Sequence, residues 1–211
     1  MGANDGIVSV AGLIIGVAGA TNSATAILTA GIAGMVAGAI AMAAGEYVSV
    51  SSSKDTEKAI LDKERYALKK FPERELMELA QIYREKGLTA QTAKQVAKEL
   101  SKKDVFAAHA YAELNIDPNN LTNPWQAGLA SAGSFLSGAA VPLIAIVISP
   151  ALIKVPITFI AVIIALVITG VLSAKAGGAG VVRATIRVVL GGALAMIATF
   201  IIGKLFAVSG I

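Results

Sequence analysis

The sequence predicts an all-α integral membrane protein with five transmembrane helices and a cytoplasmic helical insert between the second and the third. Three observations predict it. Hydrophobic residues make up 55% of the 211 and charged residues only 15%, against about 25% charged in soluble domains. Mean hydropathy is +0.72. The charge is also confined: 12 of the 14 acidic side chains fall between Asp55 and Asp117, and residues 51–120 hold 13 of the 18 basic ones. Residues 1–50 therefore read as helices one and two, 51–120 as the insert, and 121–211 as helices three to five.

Span one runs from about Asn4 to Ala20, and span two covers Ala26–Val50. About 20 apolar residues cross a bilayer at 1.5 Å rise per residue. The connection Thr21–Thr25 carries no charge. Small residues recur four apart at Gly12 and Gly16, at Gly34 and Gly38, and at Ala41 and Gly45. Such spacing suits ordinary close helix packing, a dimer interface or a sliding surface alike. The small residues Val17–Ala20 resemble a signal-peptide cleavage site, but Asp5 stands where a positive region belongs, so the segment reads as a retained helix.

The insert begins as a continuation of span two, with Ile60, Leu61, Leu68 and Phe71 at helical spacing. Pro72 ends that helix. A second covers Glu73–Lys86 with Gly87 as its C-cap, and a third starts at the N-cap Thr89. Ser101 is expected to cap a fourth that carries Val105, Phe106, His109 and Leu114. Asp117–Asn120 is a turn-rich linker. Spans three to five follow at about Trp125–Ile148, Leu152–Ser173 and Val181–Phe206. Lys175, Arg183 and Arg187 gather on the side that, by parity, holds the insert, and the positive-inside rule places that side in the cytoplasm.

Several functions are excluded. The insert mixes 13 basic with 12 acidic residues, which is no nucleic-acid footprint. Without cysteine there is no thiolate site. One histidine, with no H-E-x-x-H, Walker or dinucleotide-glycine pattern, argues against an enzyme and against an organic cofactor.

The two acids outside the insert are the informative ones. Asp5 and Glu46 lie on the first and second spans, and a carboxylate at membrane depth costs about 3 kcal/mol. A hairpin turning near Asn22 brings both to one side, at depths within about a turn of each other. Met42, one turn before Glu46, shares its helix face. The acids either face one another along an ion path or wet their side chains at the bilayer rim. In the insert, Glu75 and Glu78 share a helix face, Glu64 lies on the preceding helix, and His109 with Glu113 forms an i,i+4 pair. Oxygen and nitrogen ligands suit Fe²⁺ and Mn²⁺. Glu-rich helices laced with Lys are also ordinary solvated surfaces, and a lone histidine is ordinarily a surface or packing residue.

The stretches NDGIVSVAGLIIGVAGA and AGIAGMVAGAIAMAAGEYVSVSS, the charged insert and the three further spans together resemble the vacuolar iron transporter family, nearest its prokaryotic and nodulin-like branch. The resemblance implies a five-helix homodimer in a membrane, here the prokaryotic inner membrane, that carries Fe²⁺ or Mn²⁺ out of the cytosol, in some members against protons. It matches Asp5 to the first-helix aspartate, Met42 to the pore methionine, and Glu64, Glu75, Glu78 and Glu113 to the cytoplasmic metal-binding glutamates. There are departures: the plant-type second-helix glutamate falls at Gly34, a first-insert-helix glutamate at Ala67, and a methionine pair at His109 and Ala110. The expected metal ligands are thus Asp5, Met42, Glu46, Glu64, Glu75, Glu78, His109 and Glu113. The competing expectation is a membrane-anchored metal buffer or sensor without transport, and a weaker one is a carrier of some other cation.

Overall fold

The computed structural model describes residues 2–209. Among these, the chain forms seven α-helices: α1 (Gly2–Ala20), α2 (Ala24–Lys70), α3 (Pro72–Glu85), α4 (Ala90–Ala112), α5 (Pro124–Ile148), α6 (Lys154–Ala176) and α7 (Val181–Ser209). Five of them, α1, α2, α5, α6 and α7, are long and apolar enough to cross a membrane. The chain divides into two compact units, one of residues up to Glu46 together with those from Trp125 onward, the other Tyr47–Pro124.

In the first unit, α1 is the buried helix. Its Val10, Ile14 and Ala18 pack with Ile27 and Ala39 of α2 and with Phe135, Ala139, Leu143 and Ile146 of α5. Its Ile7, Ala11 and Ile15 pack with Val162 and Leu166 of α6 and Met196 of α7. A helix apolar all round is stable only when enclosed, and α1 meets that condition on two sides.

Lipid gives no hydrophobic drive for helix association, so close approach must come from small residues. A Cβ at Gly6 would overlap the Phe135 carbonyl, and one at Gly138 would overlap the Ala3 carbonyl, which locks α1 against α5. A Cβ at Gly203 would overlap the Gly16 carbonyl, which does the same for α1 and α7. Gly12 and Gly16 face Thr199 of α7, whereas Gly34 faces Leu13 and Gly38 the Phe135 ring. Within this chain the Gly12–Gly16 and Gly34–Gly38 pairs are used for packing, whereas a Cβ at Gly45 would meet nothing within 4 Å. The α1–α2 turn is set by Ser23, whose amide donates to Thr21 Oγ1 at 3.1 Å and whose hydroxyl accepts from Ala26 N at 3.3 Å. Lys154 Nζ at the start of α6 donates to the Asn22 carbonyl at 3.2 Å.

In the second unit, α2 runs unbroken to Lys70. Pro72 takes the first position of α3, where its missing N–H costs nothing. Gly87 adopts φ +101° just beyond α3, a conformation that a side chain would strain. Thr89 caps α4, its hydroxyl accepting from Thr92 N at 3.2 Å. The fourth insert helix does not start at Ser101. The chain leaves helical geometry at Asp104 (φ −162°, ψ 100°), and Asp104 Oδ1 accepts from Ala107 N at 2.9 Å. A carboxylate caps more strongly than it serves mid-helix, so the break falls three residues later than the serine suggests. Arg65 of α2 stacks over Phe106 beyond that break, 4.3 Å from the ring centroid.

Gly138→Val should lower the thermal unfolding midpoint in detergent sharply, with a loss near 3 kcal/mol, the upper range of about 1–3 for overpacking. Gly45→Ala, where an added Cβ meets nothing within 4 Å, should leave the midpoint unchanged or raise it slightly.

Candidate metal centre

The apolar core of the second unit is thin. Its buried hydrophobic side chains are Leu61, Leu79, Ala93, Ala97 and Ala110, and among the described residues Glu64, Glu75 and His109 are buried with them. Alanine contributes little transfer energy, while each buried polar group costs unless it is satisfied. A core of this composition needs something to settle its polar members.

The geometry brings those three together. Glu64 comes from α2, Glu75 from the first turn of α3, and His109 from the segment that Asp104 caps. One ligand atom from each lies within 4.8 Å of the others. His109 is fully buried, so it is not a surface residue. Its Nδ1 lies 3.0 Å from Glu64 Oε1 and 3.6 Å from Glu113 Oε2. None of these approaches has hydrogen-bond alignment, and Nδ1, Nε2 and Glu64 Oε1 are all buried without a hydrogen-bond partner. A buried donor left unmade costs about 1–3 kcal/mol. The 3.0 Å approach of Nδ1 to Glu64 Oε1 is an ion pair when the imidazole is protonated, and the same spacing suits two ligands of one metal ion.

Glu75 is held from outside. Arg74 donates to its Oε1 through Nη2 at 2.7 Å and Nε at 3.2 Å, and the guanidinium rests 4.7 Å from the Phe71 ring centroid. Sequence spacing offered no sign of this contact, because adjacent helical residues do not ordinarily face one another. Glu78, by contrast, is exposed and lies outside the cluster. Its charge still acts on Glu64. The Glu64 carboxyl is pushed above its ordinary 4.5 first by burial and then by Glu113, with Glu75 and Glu78 adding to the push and His109 opposing it.

The expected residues of the apolar spans separate differently. Asp5 and Met42 line one groove of about 320 Å³ with Ser9, Val10, Leu13, Gly34, Gly38, Ala41 and Phe135. Gly34 lines it opposite Leu13, whose side chain an added Cβ would meet. Asp5 is exposed on this groove, in the first turn of α1, where the helix dipole favours an anion. Glu46 is also exposed, but it is not part of the groove lining. Met42 is partly buried against the α1–α5 core.

A bundle of apolar spanning helices joined to a buried carboxylate–imidazole cluster defines an integral membrane protein with a ligand set suited to a divalent metal. Residues 1–204 match the VIT family, and the chain belongs to that family. It is 42% identical over 212 residues to the "Vacuolar iron transporter" of Acanthamoeba castellanii, covering 97% of this chain and 76% of that protein. It is 36% identical over 201 residues to "Vacuolar iron transporter homolog 2.1" of Arabidopsis thaliana, covering 95% and 76%. It is likewise 36% identical over 212 residues to "Vacuolar iron transporter homolog 1" of Oryza sativa subsp. japonica, covering 100% and 73%.

The upward shift of Glu64 fixes a pH dependence. The folded insert holds this proton more tightly than the unfolded chain does. Its contribution to metal-free stability is therefore full below the ordinary carboxylate pKa and is lost as pH rises through the raised one. Thermal unfolding of the metal-free protein should fall from mildly acidic to neutral pH. Glu64→Gln should flatten that fall and raise neutral-pH stability, while weakening Mn²⁺ binding measured by calorimetry.

Proposed function

We propose that this chain carries Fe²⁺ or Mn²⁺ out of the cytosol across a prokaryotic inner membrane, as a homodimer and in exchange for protons. Residues 51–120 are cytoplasmic in this reading and gather the ion. Residues 1–50 and 121–211 form the membrane part that passes it. The observation that carries the proposal is the buried trio Glu64, Glu75 and His109, with both imidazole nitrogens lacking a hydrogen-bond partner. Family membership and the names of the relatives support iron as the cargo.

The chemistry follows from the ligand types. A hydrated divalent ion meets Glu78 and Glu113 first, since both are on the exposed side of the set. It then exchanges water for Glu64, Glu75 and the imidazole of His109. Oxygen and nitrogen ligands hold Fe²⁺ and Mn²⁺ without the thiolates that would favour zinc or copper. In the membrane part, Asp5 with Met42, and then Glu46, offer the next ligands, and the two carboxylates take up the protons that move the other way. The groove bearing Asp5 and Met42 is open on one side of the single chain. A water-filled path needs a second wall, and we assign that wall to the second copy.

The exposure of both Asp5 and Glu46 on the single chain also favours a second reading, a membrane-anchored metal buffer that binds without transport. Vesicles reconstituted with the protein and given a pH gradient separate the two. Transport predicts Mn²⁺ and Fe²⁺ uptake well above empty vesicles, lost in the Asp5→Asn, Glu46→Gln variant. Binding in proportion to protein with no flux would establish the buffer, and undiminished flux in the double variant would remove both acids from the path. His109→Ala should weaken metal binding by no less than the roughly tenfold that even outer partners of a metal site cost.

A further inference from the structure

The membrane unit carries three exposed basic side chains flanking its α6–α7 turn that ion passage does not use. Lys175 lies in the last turn of α6, and Arg183 and Arg187 lie one turn apart near the start of α7. All three are exposed. No side-chain hydrogen bond or ion pair reaches any of them among the described residues. In this unit, five basic side chains stand against two carboxylates, Asp5 and Glu46. The two arginines alternate with Val182, Ile186 and Leu190, which are 70%, 52% and 56% exposed, on one outward face of α7. The α6–α7 pair is pinned beneath them by Gly170, where a Cβ would stand 3.0 Å from the Thr185 Cα.

Such an arrangement is costly as it stands. Like charges at i,i+4 repel, and an apolar spanning face charges heavily for each unpaired guanidinium. Both costs fall if one anion sits between the two arginines, within reach of Lys175, and if that anion brings apolar chains to cover Val182, Ile186 and Leu190. Guanidinium forks match phosphate oxygens in geometry as well as charge. We propose that Lys175, Arg183 and Arg187 form a binding site for the phosphate of an anionic phospholipid, with its acyl chains lying along the outward face of α7.

Free phosphate shares the headgroup chemistry but lacks the chains, and a second copy of this chain is the other possible cover. The full-length protein, purified in mild detergent and delipidated, is titrated with phosphatidylglycerol, phosphatidylcholine or inorganic phosphate, and its thermal unfolding and oligomeric state are followed. Phosphatidylglycerol should raise the midpoint by about 3 °C over phosphatidylcholine, as ligand linkage predicts for a chain of this size. The R183Q/R187Q variant should lose that increment and keep its phosphatidylcholine midpoint. Equal effects of the two lipids, or an increment retained in the variant, would overturn the site. The same rise from inorganic phosphate would overturn its assignment to lipid. Loss of a dimer in the variant with no response of either protein to phosphatidylglycerol would give the face to a second copy. Should the double variant fail to fold, R187Q is compared with the parent by native mass spectrometry. Fewer retained phosphatidylglycerol molecules support the site, and an equal number rejects it.

Discussion

Helix α1 is enclosed on two sides by glycine-mediated crossings, and the membrane unit is arranged around that constraint. Bilayer lipid is as apolar as leucine, so helices gain from one another only what close backbone contact and interlocking side chains supply. Gly6 and Gly138 bring α5, and Gly203 brings α7, so near α1 that a Cβ at any of the three would overlap a backbone carbonyl across the crossing. The faces left over are then settled. Ile7, Ala11 and Ile15 turn to α6 and α7, and Val10, Ile14 and Ala18 turn to α2 and α5. Asp5, Ser9 and Leu13 remain on a strip that meets Gly34 and Gly38 as an open groove.

The second unit is held by different physics. Its buried residues include several alanines and three groups that carry or can carry charge. Burial alone raises the Glu64 carboxyl, and the neighbouring glutamates raise it further. Arg74 offsets part of this by holding Glu75 from the solvent side. The imidazole between the acids gains no hydrogen bond from either. A divalent ion bound there, as proposed, would relieve all of these at once, since it supplies two charges and takes lone pairs. Under that proposal metal affinity and the stability of this unit are linked, as they are wherever ligands are also core residues.

Much of this was legible in residue order. The apolar spans, the α1–α2 turn, Pro72, Gly87 and Thr89 are local signals, and each lies where elementary rules place it. The fourth insert helix was misplaced because Ser101 and Asp104 both make acceptable caps in sequence, and only the path of the backbone chooses between them. For His109 the sequence left a metal ligand, a surface residue and a packing residue all open, because a lone histidine gives no sign of its surroundings. Its burial follows from three helices closing on a core with too few large apolar side chains to exclude it.

Composition and periodicity thus determined that this chain is a five-span helical membrane protein with one charged helical insert, because hydrophobic length and charge segregation are properties of the chain taken residue by residue. Tertiary structure decided which acids belong together. Glu64, Glu75 and His109 come from three helices and meet only when those helices pack. Glu78, on the same face as Glu75 by spacing, is left outside by the direction in which that face turns. Asp5 and Met42 share a groove that Glu46 does not line, a distinction of helix rotation that no count along the sequence contains.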